Sequence, residues 1–263
     1  MRVWFLFGVV SSILGTATAF HVSGFAKFSA VTVLTLRNHA KTVRGWQRFS
    51  ITAQERLTEV RVNLAPGLSI LTLQEAGWEW VQNENKYGNM VWPGAKAVSK
   101  ALVGMELPGR RVLELGAGSG LCSIAAASLG ASVLATDLNE EPLQLLQMAA
   151  SRQNLKIDVE QFDILGPMPL PRCDIVIAAD CIYNKQLGEG MARRVVEAKC
   201  NGAEVLIGSS VKRPGYELFL SELGGMGYGK DTFASCTRTR DFSSPLIFLD
   251  VFRGNFEQEI VRL

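Results

Sequence analysis

Histidine is almost missing from this chain: only His21 and His39 occur, and both precede Glu55, the first acidic residue. Imidazole catalysis and histidine-rich metal sites therefore have no material in the remaining sequence. The same absence removes the partner that would make Cys181 a nucleophile of the Cys-His type. The five cysteines, Cys122, Cys173, Cys181, Cys200 and Cys236, form no C-x-x-C pair. Neither a zinc site nor a disulfide framework is indicated, no metal is expected, and an odd set of thiols suits a reducing compartment. An excess of either sign of charge is lacking as well. A formal net charge of +2 over 263 residues supplies no field for a polyanion and argues against a nucleic-acid partner. Internal repeats and low-complexity tracts are also lacking, and the length suits one large α/β domain with an extension.

No apolar run reaches the roughly 20 residues that cross a bilayer. The first segment has Arg2, an apolar run from Val3 to Leu14 and the small residues Thr16-Ala17-Thr18-Ala19, which read as a secretory signal over 1–19 with an A-x-A-like cleavage site. Residues 20–47 are rich in Ser, Thr and basic side chains and free of acids, the composition of a transit peptide. With Phe20 directly after the cleavage site, the pair resembles the bipartite presequences of algae whose plastids came from a secondary endosymbiosis. That resemblance implies a plastid destination; the alternatives are the secretory pathway or a signal-anchored membrane protein. Once the presequence is removed, a monomer with no stable membrane association is expected.

What the chain does have is Arg110 to Gly120, RRVLELGAGSG, an apolar strand running into a glycine-dense turn and then a helix over Leu121 to Leu129. A dinucleotide fingerprint would place its third glycine where Leu121 stands, and a phosphate-binding Walker loop would need a Lys where the chain reads Gly120-Leu121-Cys122. The next strand, Ser132 to Thr136, ends at Asp137, placed to accept the two hydroxyls of a ribose at the carboxyl edge of a parallel sheet.

Residues 48–90 read as an N-terminal β extension, with a hairpin between Leu57 and Leu73 turned at Pro66-Gly67 and expected to pack or to line a substrate entrance. Trp78, Trp80 and Tyr87 follow, then Val91-Trp92-Pro93-Gly94 opens a helix over Ala95 to Leu102. Trp92 reads equally as a wedge beneath that helix or as a wall of the ligand pocket. Beyond the glycine loop, strands and helices alternate: helix Glu140 to Gln153 behind Asn139 as cap, strand Ile157 to Phe162, strand Asp174 to Ala179, helix Gly188 to Lys199, strand Ala203 to Gly208 and helix Gly215 to Met226. Two strands near Asp231 to Arg240 and Leu246 to Arg253 close the chain as a hairpin. The expectation is a Rossmann-like α/β sheet of seven strands with a C-terminal antiparallel hairpin.

A second informative string is Cys173 to Asn184, CDIVIAADCIYN, in which a buried strand delivers Asp180 and then Tyr183 to the ligand edge of the sheet. The E-x-G-x-G-x-G of Glu114 to Gly120 resembles the first motif of class I S-adenosylmethionine (SAM) methyltransferases. Together with Trp92, Asp137 and the D-x-x-Y of Asp180 to Tyr183, it resembles the methyltransferase-like family whose members methylate protein lysines. The resemblance implies a SAM-dependent methyltransferase domain over 91–263. It implies that Glu114 faces the methionine ammonium and that Trp92, Gly116, Ala117, Gly118, Gly120 and Asp137 hold the cofactor. It further implies that Asp163 and Ile164 approach the adenine, although some relatives carry a Trp near Asp163, and that Ala179 contacts the cofactor. Asp180 and Tyr183 are the expected catalytic pair, orienting an amine for in-line displacement on the sulfonium. The expected acceptor is a lysine of a protein substrate; the alternatives are a small-molecule amine, or a non-catalytic module that binds SAM.

Overall fold

A computed structural model describes residues 57–75, 84–210, 213–228, 236–240 and 247–252, the last two stretches as backbone only. The expected presequence over 1–47, Trp78 and Trp80 lie outside the described residues.

A hairpin of β1 (Leu57–Ala65) and β2 (Leu68–Glu75) comes first, followed by a 3-10 turn over Glu84–Asn89 and helix α1 (Pro93–Leu102). There follow β3 (Arg111–Leu115), α2 (Leu121–Ser128), β4 (Ser132–Asp137), α3 (Glu140–Ser151), β5 (Asp158–Gln161) and β6 (Ile175–Ala179). The chain continues through α4 (Lys185–Cys200), β7 (Glu204–Ser210), α5 (Pro214–Gly225), β8 (Cys236–Arg240) and β9 (Ile247–Phe252). The main sheet has seven strands in the order β5-β4-β3-β6-β7-β9-β8. Its first five pair in parallel, and β9 runs antiparallel to both β7 and β8. The Rossmann-like sheet expected from the alternating pattern, with its terminal antiparallel hairpin, is therefore present, and β1 and β2 form a separate two-stranded sheet.

The central strands read as continuous apolar runs because both of their faces are covered. On β3 and β6, Val112, Ile175 and Ile177 pack with α1, α2 and α3, while Leu113, Leu115, Val176 and Ala178 pack with α4 and α5. Each aliphatic side chain buried this way contributes about 1.5–3 kcal/mol. The order of the strands also fixes where a ligand can sit. From β3 the chain winds outward through β4 to β5, then crosses back to β6 on the other side of β3, and a crevice opens at the carboxyl ends where that direction reverses.

Of the two roles expected for the N-terminal hairpin, packing is the one the described residues show. None of residues 57–75 lines the cavity described below. Val62, Leu64, Ile70 and Leu73 are buried in the same core as α1 to α3. Gln153, just past α3, receives the Leu71 N–H at 2.8 Å and donates to the Leu71 carbonyl at 2.7 Å, so one side chain completes the hydrogen bonding of an edge-strand residue. Thr72 adds a bond from Oγ1 to the Ser119 carbonyl at 2.5 Å, which ties the hairpin to the back of the glycine loop.

Several boundaries differ from the pattern-based ones, each for a local reason. Helix α4 begins at Lys185 and not at Gly188, because Asn184 Oδ1 accepts the Leu187 N–H at 2.9 Å and caps it. Helix α3 has Asn139 at its cap position but no side-chain cap bond; the Asn139 N–H is instead donated to Asp137 Oδ1 at 3.0 Å.

Candidate active site

The crevice contains a cavity of about 260 Å³. Its floor is the glycine loop. The Ala117 N–H bonds to the Thr136 carbonyl at 2.8 Å and the Gly118 N–H to Asp137 Oδ2 at 2.9 Å, so β3 and β4 hold the turn from one side. Gly118 has φ +54°, and a Cβ there would come within 2.9 Å of the Gly88 carbonyl. The backbone before α1 thus crosses the loop at a distance that only glycine allows. Gly116, Ala117 and Gly118 all line the cavity.

Gly120 alone of the expected cofactor residues does not line the cavity. It occupies the cap position of α2 with φ +79°, and an added Cβ would collide with Leu146 of α3. Its lack of a side chain serves the packing of α2 against α3.

Two buried carboxylates face the cavity from adjacent strands. Glu114 on β3 is 1% exposed and accepts a hydrogen bond from Ser123 Oγ on α2. Burial pushes its carboxyl up to about 7, against the opposing pull of hydrogen bonds from Ser123 and Cys122. Asp137 at the end of β4 accepts the Gly118 and Asn139 N–H groups, and burial raises its pKa in spite of them. The raised Glu114 pKa has a measurable consequence. Between its ordinary value near 4.5 and about 7 the folded state binds the Glu114 proton more tightly than the unfolded state, so stability falls as pH rises through that window. The expected loss is on the order of 3 kcal/mol. Denaturant unfolding of wild type and Glu114→Gln from pH 5 to 8 should show the stability difference between them changing by that order; parallel curves would contradict it.

The third wall carries Ala179, Asp180 and Tyr183. Asp180 leaves β6 with φ +51°, a left-handed conformation that Asp tolerates better than most residues, and its N–H is bonded to the Gly208 carbonyl at 2.8 Å. Its Oδ2 accepts the Gly94 N–H at 2.7 Å. Gly94 lies in the first turn of α1, so the carboxylate caps that helix where the backbone dipole favours negative charge. A Cβ on Gly94 would meet the same carboxylate at 2.7 Å, which explains the Pro93-Gly94 start. Asp180 thus caps a helix and also faces the cavity. Beside it Cys181 is buried, and its thiol is pushed up to about 12 by burial. That chemistry is inert.

Of its two readings Trp92 takes the wall: it lines the cavity and stands at the cap position of α1 without a side-chain cap bond. Its Nε1 donates to the Tyr87 carbonyl at 2.9 Å, and its ring meets the Tyr87 ring edge-on at 5.9 Å. Tyr87 in turn meets Tyr183 edge-on at 5.9 Å, which makes a three-ring aromatic wall. Tyr87 was visible in the sequence only as one of several aromatics near the β extension.

At the far end, Asp163 and Ile164 line the cavity, and Asp163 Oδ1 accepts the Leu165 N–H at 2.8 Å. This loop is clasped from behind by Arg194 of α4, which the sequence did not single out. The Arg194 guanidinium donates to the Ile164 carbonyl at 3.0 Å, the Gly166 carbonyl at 2.8 Å and Glu197 at 2.7 Å, and lies 4.8 Å over the Phe162 ring. Charge, stacking and two backbone carbonyls together hold the loop that would meet an adenine.

Comparison with known proteins fits this geometry. A solved structure of the 16S rRNA N2 G1207 methyltransferase of T. thermophilus, in complex with AdoMet and guanosine, superposes with a TM-score of 0.53 at 17% identity, covering 76% of this chain and 50% of that one. The likeness, the strand order and the cleft at the carboxyl ends define the fold of the class I SAM-dependent methyltransferases. A family model described as lysine methyltransferase matches residues 75–225, more than half of the 263. The chain belongs to that lysine methyltransferase family. Among relatives, the protein N-lysine methyltransferase METTL21A of Danio rerio is 30% identical over 128 residues, 45% of this chain and 58% of that protein. The electron transfer flavoprotein beta subunit lysine methyltransferase of Xenopus laevis is 31% identical over 129 residues, 46% of this chain and 51% of that protein. In both cases the match spans little more than half the length of the relative.

The residues present fit SAM. A floor of glycine and alanine backbone, a carboxylate at the carboxyl edge of β4 and a second on β3 suit its methionine chain, ribose hydroxyls and ammonium in turn.

Proposed function

We propose that the chain methylates lysine side chains of a protein substrate. Bound SAM supplies a methyl group activated as a sulfonium. The protein's own contribution is alignment and dryness. Glu114 faces the ammonium, Asp137 accepts from the ribose hydroxyls, and the Arg194-clasped loop at Asp163 and Ile164 meets the adenine. Trp92 and Ala179 complete that half of the site.

The observation that carries the acceptor assignment is the aromatic wall of Tyr87, Trp92 and Tyr183 standing beside Asp180. Desolvation among the three rings lowers the pKa of an entering ammonium, which gives its proton to bulk water so that the neutral amine can attack the methyl carbon as the sulfur departs. Asp180 and the Tyr183 hydroxyl then accept its hydrogen bonds and aim the lone pair along the sulfur–methyl axis. The protein-lysine activities named for the two relatives support the same acceptor. Incubating the chain with labelled SAM and a cell extract, then separating protein from small molecules, should place the label in protein. Label confined to small molecules would overturn the lysine assignment and favour a metabolite amine.

We also propose delivery to a plastid through the 1–47 presequence, on the composition described above. A fusion of residues 1–48 to a fluorescent protein should accumulate there, and retention at the cell surface would show the first segment to be an anchor.

A further inference from the structure

Among the described residues that line the cavity, Glu114, Asp137, Asp163 and Asp180 carry carboxylates, and Arg213 is the only lysine or arginine. Arg213 sits at the cap position of α5, directly before Pro214, beyond the carboxyl end of β7. Its guanidinium lies 4.8 Å over the Trp92 ring, which is itself fixed by the bond from its Nε1 to Tyr87. No ion pair links it to an acid among the described residues. Stacking dehydrates one face of a guanidinium and leaves its in-plane N–H groups to take a carboxylate in a bidentate fork.

The sheet decides which carboxylate. Glu114 is on β3 and Asp137 on β4, whereas Arg213 follows β7, two strands from β3 on the opposite side. At the usual interstrand spacing that separation is about 10 Å. A cofactor held between Glu114 and Asp137 extends away from β7, which leaves Arg213 over the acceptor's side of the aromatic wall.

We infer that Arg213 selects acceptors bearing a carboxylate close to the amine that is methylated. This deepens the acceptor reading and rests only on a lysine amine being methylated, in a protein or free. The carboxylate belongs either to an Asp or Glu near the target lysine in a peptide or to the α-carboxyl group of a free amino acid. Both present the same group to the guanidinium.

The test uses the full chain with labelled SAM. Its probes are arrayed peptides, in which each position flanking a single lysine is in turn Asp, Ala or Lys, and free lysine. Wild type should methylate its best Asp-flanked peptide, or free lysine over a lysine amide, at least about tenfold faster than the neutral counterpart. Arg213→Lys should keep part of that preference, Arg213→Gln should abolish it, and Arg213→Glu should turn it towards Lys-flanked peptides. Affinity of Arg213→Gln for S-adenosylhomocysteine, by calorimetry, should stay within about twofold of wild type, which also shows that the variant is folded. A tenfold fall would assign Arg213 to the cofactor's own carboxylate and overturn the inference. Lysine labelling that is indifferent to flanking acids, or an acidic preference that survives Arg213→Gln, would overturn it while leaving lysine methylation intact. No label on any lysine would remove both readings together.

Discussion

Asp137→Asn should lower affinity for S-adenosylhomocysteine by about two orders of magnitude, close to 2.7 kcal/mol. The carboxylate already accepts the Gly118 N–H at 2.9 Å and the Asn139 N–H at 3.0 Å, so its position is fixed before any ligand arrives. Two ribose hydroxyls would then donate to a charged acceptor, and hydrogen bonds to charged groups are worth about 1.5–3 kcal/mol each. An asparagine has one acceptor oxygen. It would leave either the glycine loop or the ribose short of a partner and would present an N–H₂ where an acceptor is needed. Calorimetric titration checks this directly, and an affinity within about threefold of wild type would remove Asp137 from the site.

Asp180→Asn should lower methyl transfer about 100-fold while leaving the fold and the affinity for S-adenosylhomocysteine nearly unchanged. Asparagine tolerates the left-handed backbone that Asp180 adopts at φ +51°, and its amide oxygen can still receive the Gly94 N–H. Only the negative charge and the full acceptor capacity offered to the amine are lost. Asp180→Ala should show the same kinetic defect plus a stability loss of about 2 kcal/mol, the sum of a missing helix cap and a strained φ. Single-turnover transfer and thermal unfolding separate the two effects. Full turnover by Asp180→Asn would reduce the residue to a helix cap.

The two variants differ in how much of their rationale could be read from sequence. Glycine loop, Asp137 and the D-x-x-Y string are local patterns, each a strand end followed by a turn, and strand ends in a parallel sheet all point into one crevice. The aims of Glu114 and Asp137 were legible for that reason. Gly120 belongs to the same local string, but its close neighbour is Leu146 on a helix that begins twenty residues later, a contact the string does not announce. The capping of α1 by Asp180 joins residues 86 apart, and Arg194 reaches back 30 residues to the Ile164 carbonyl. Periodicity says nothing about such pairs. Arg213 over Trp92 is of the same kind, a contact between two helix starts that only the wound sheet brings together. The hairpin of β1 and β2 shows the opposite limit. Its alternation predicted the strands, but an amphipathic hairpin does not declare what it will cover, and here it covers α3 and the back of the loop.

The most direct test of the central claim is chemical identification of the product. Protein labelled by this chain from methyl-labelled SAM would be hydrolysed to amino acids and the label chromatographed against N-methylated standards. Lysine methylation requires the label to co-migrate with mono-, di- or trimethyl-lysine and to fall sharply when Asp180→Asn replaces wild type. Label in any other amino acid, or in none, would contradict the account.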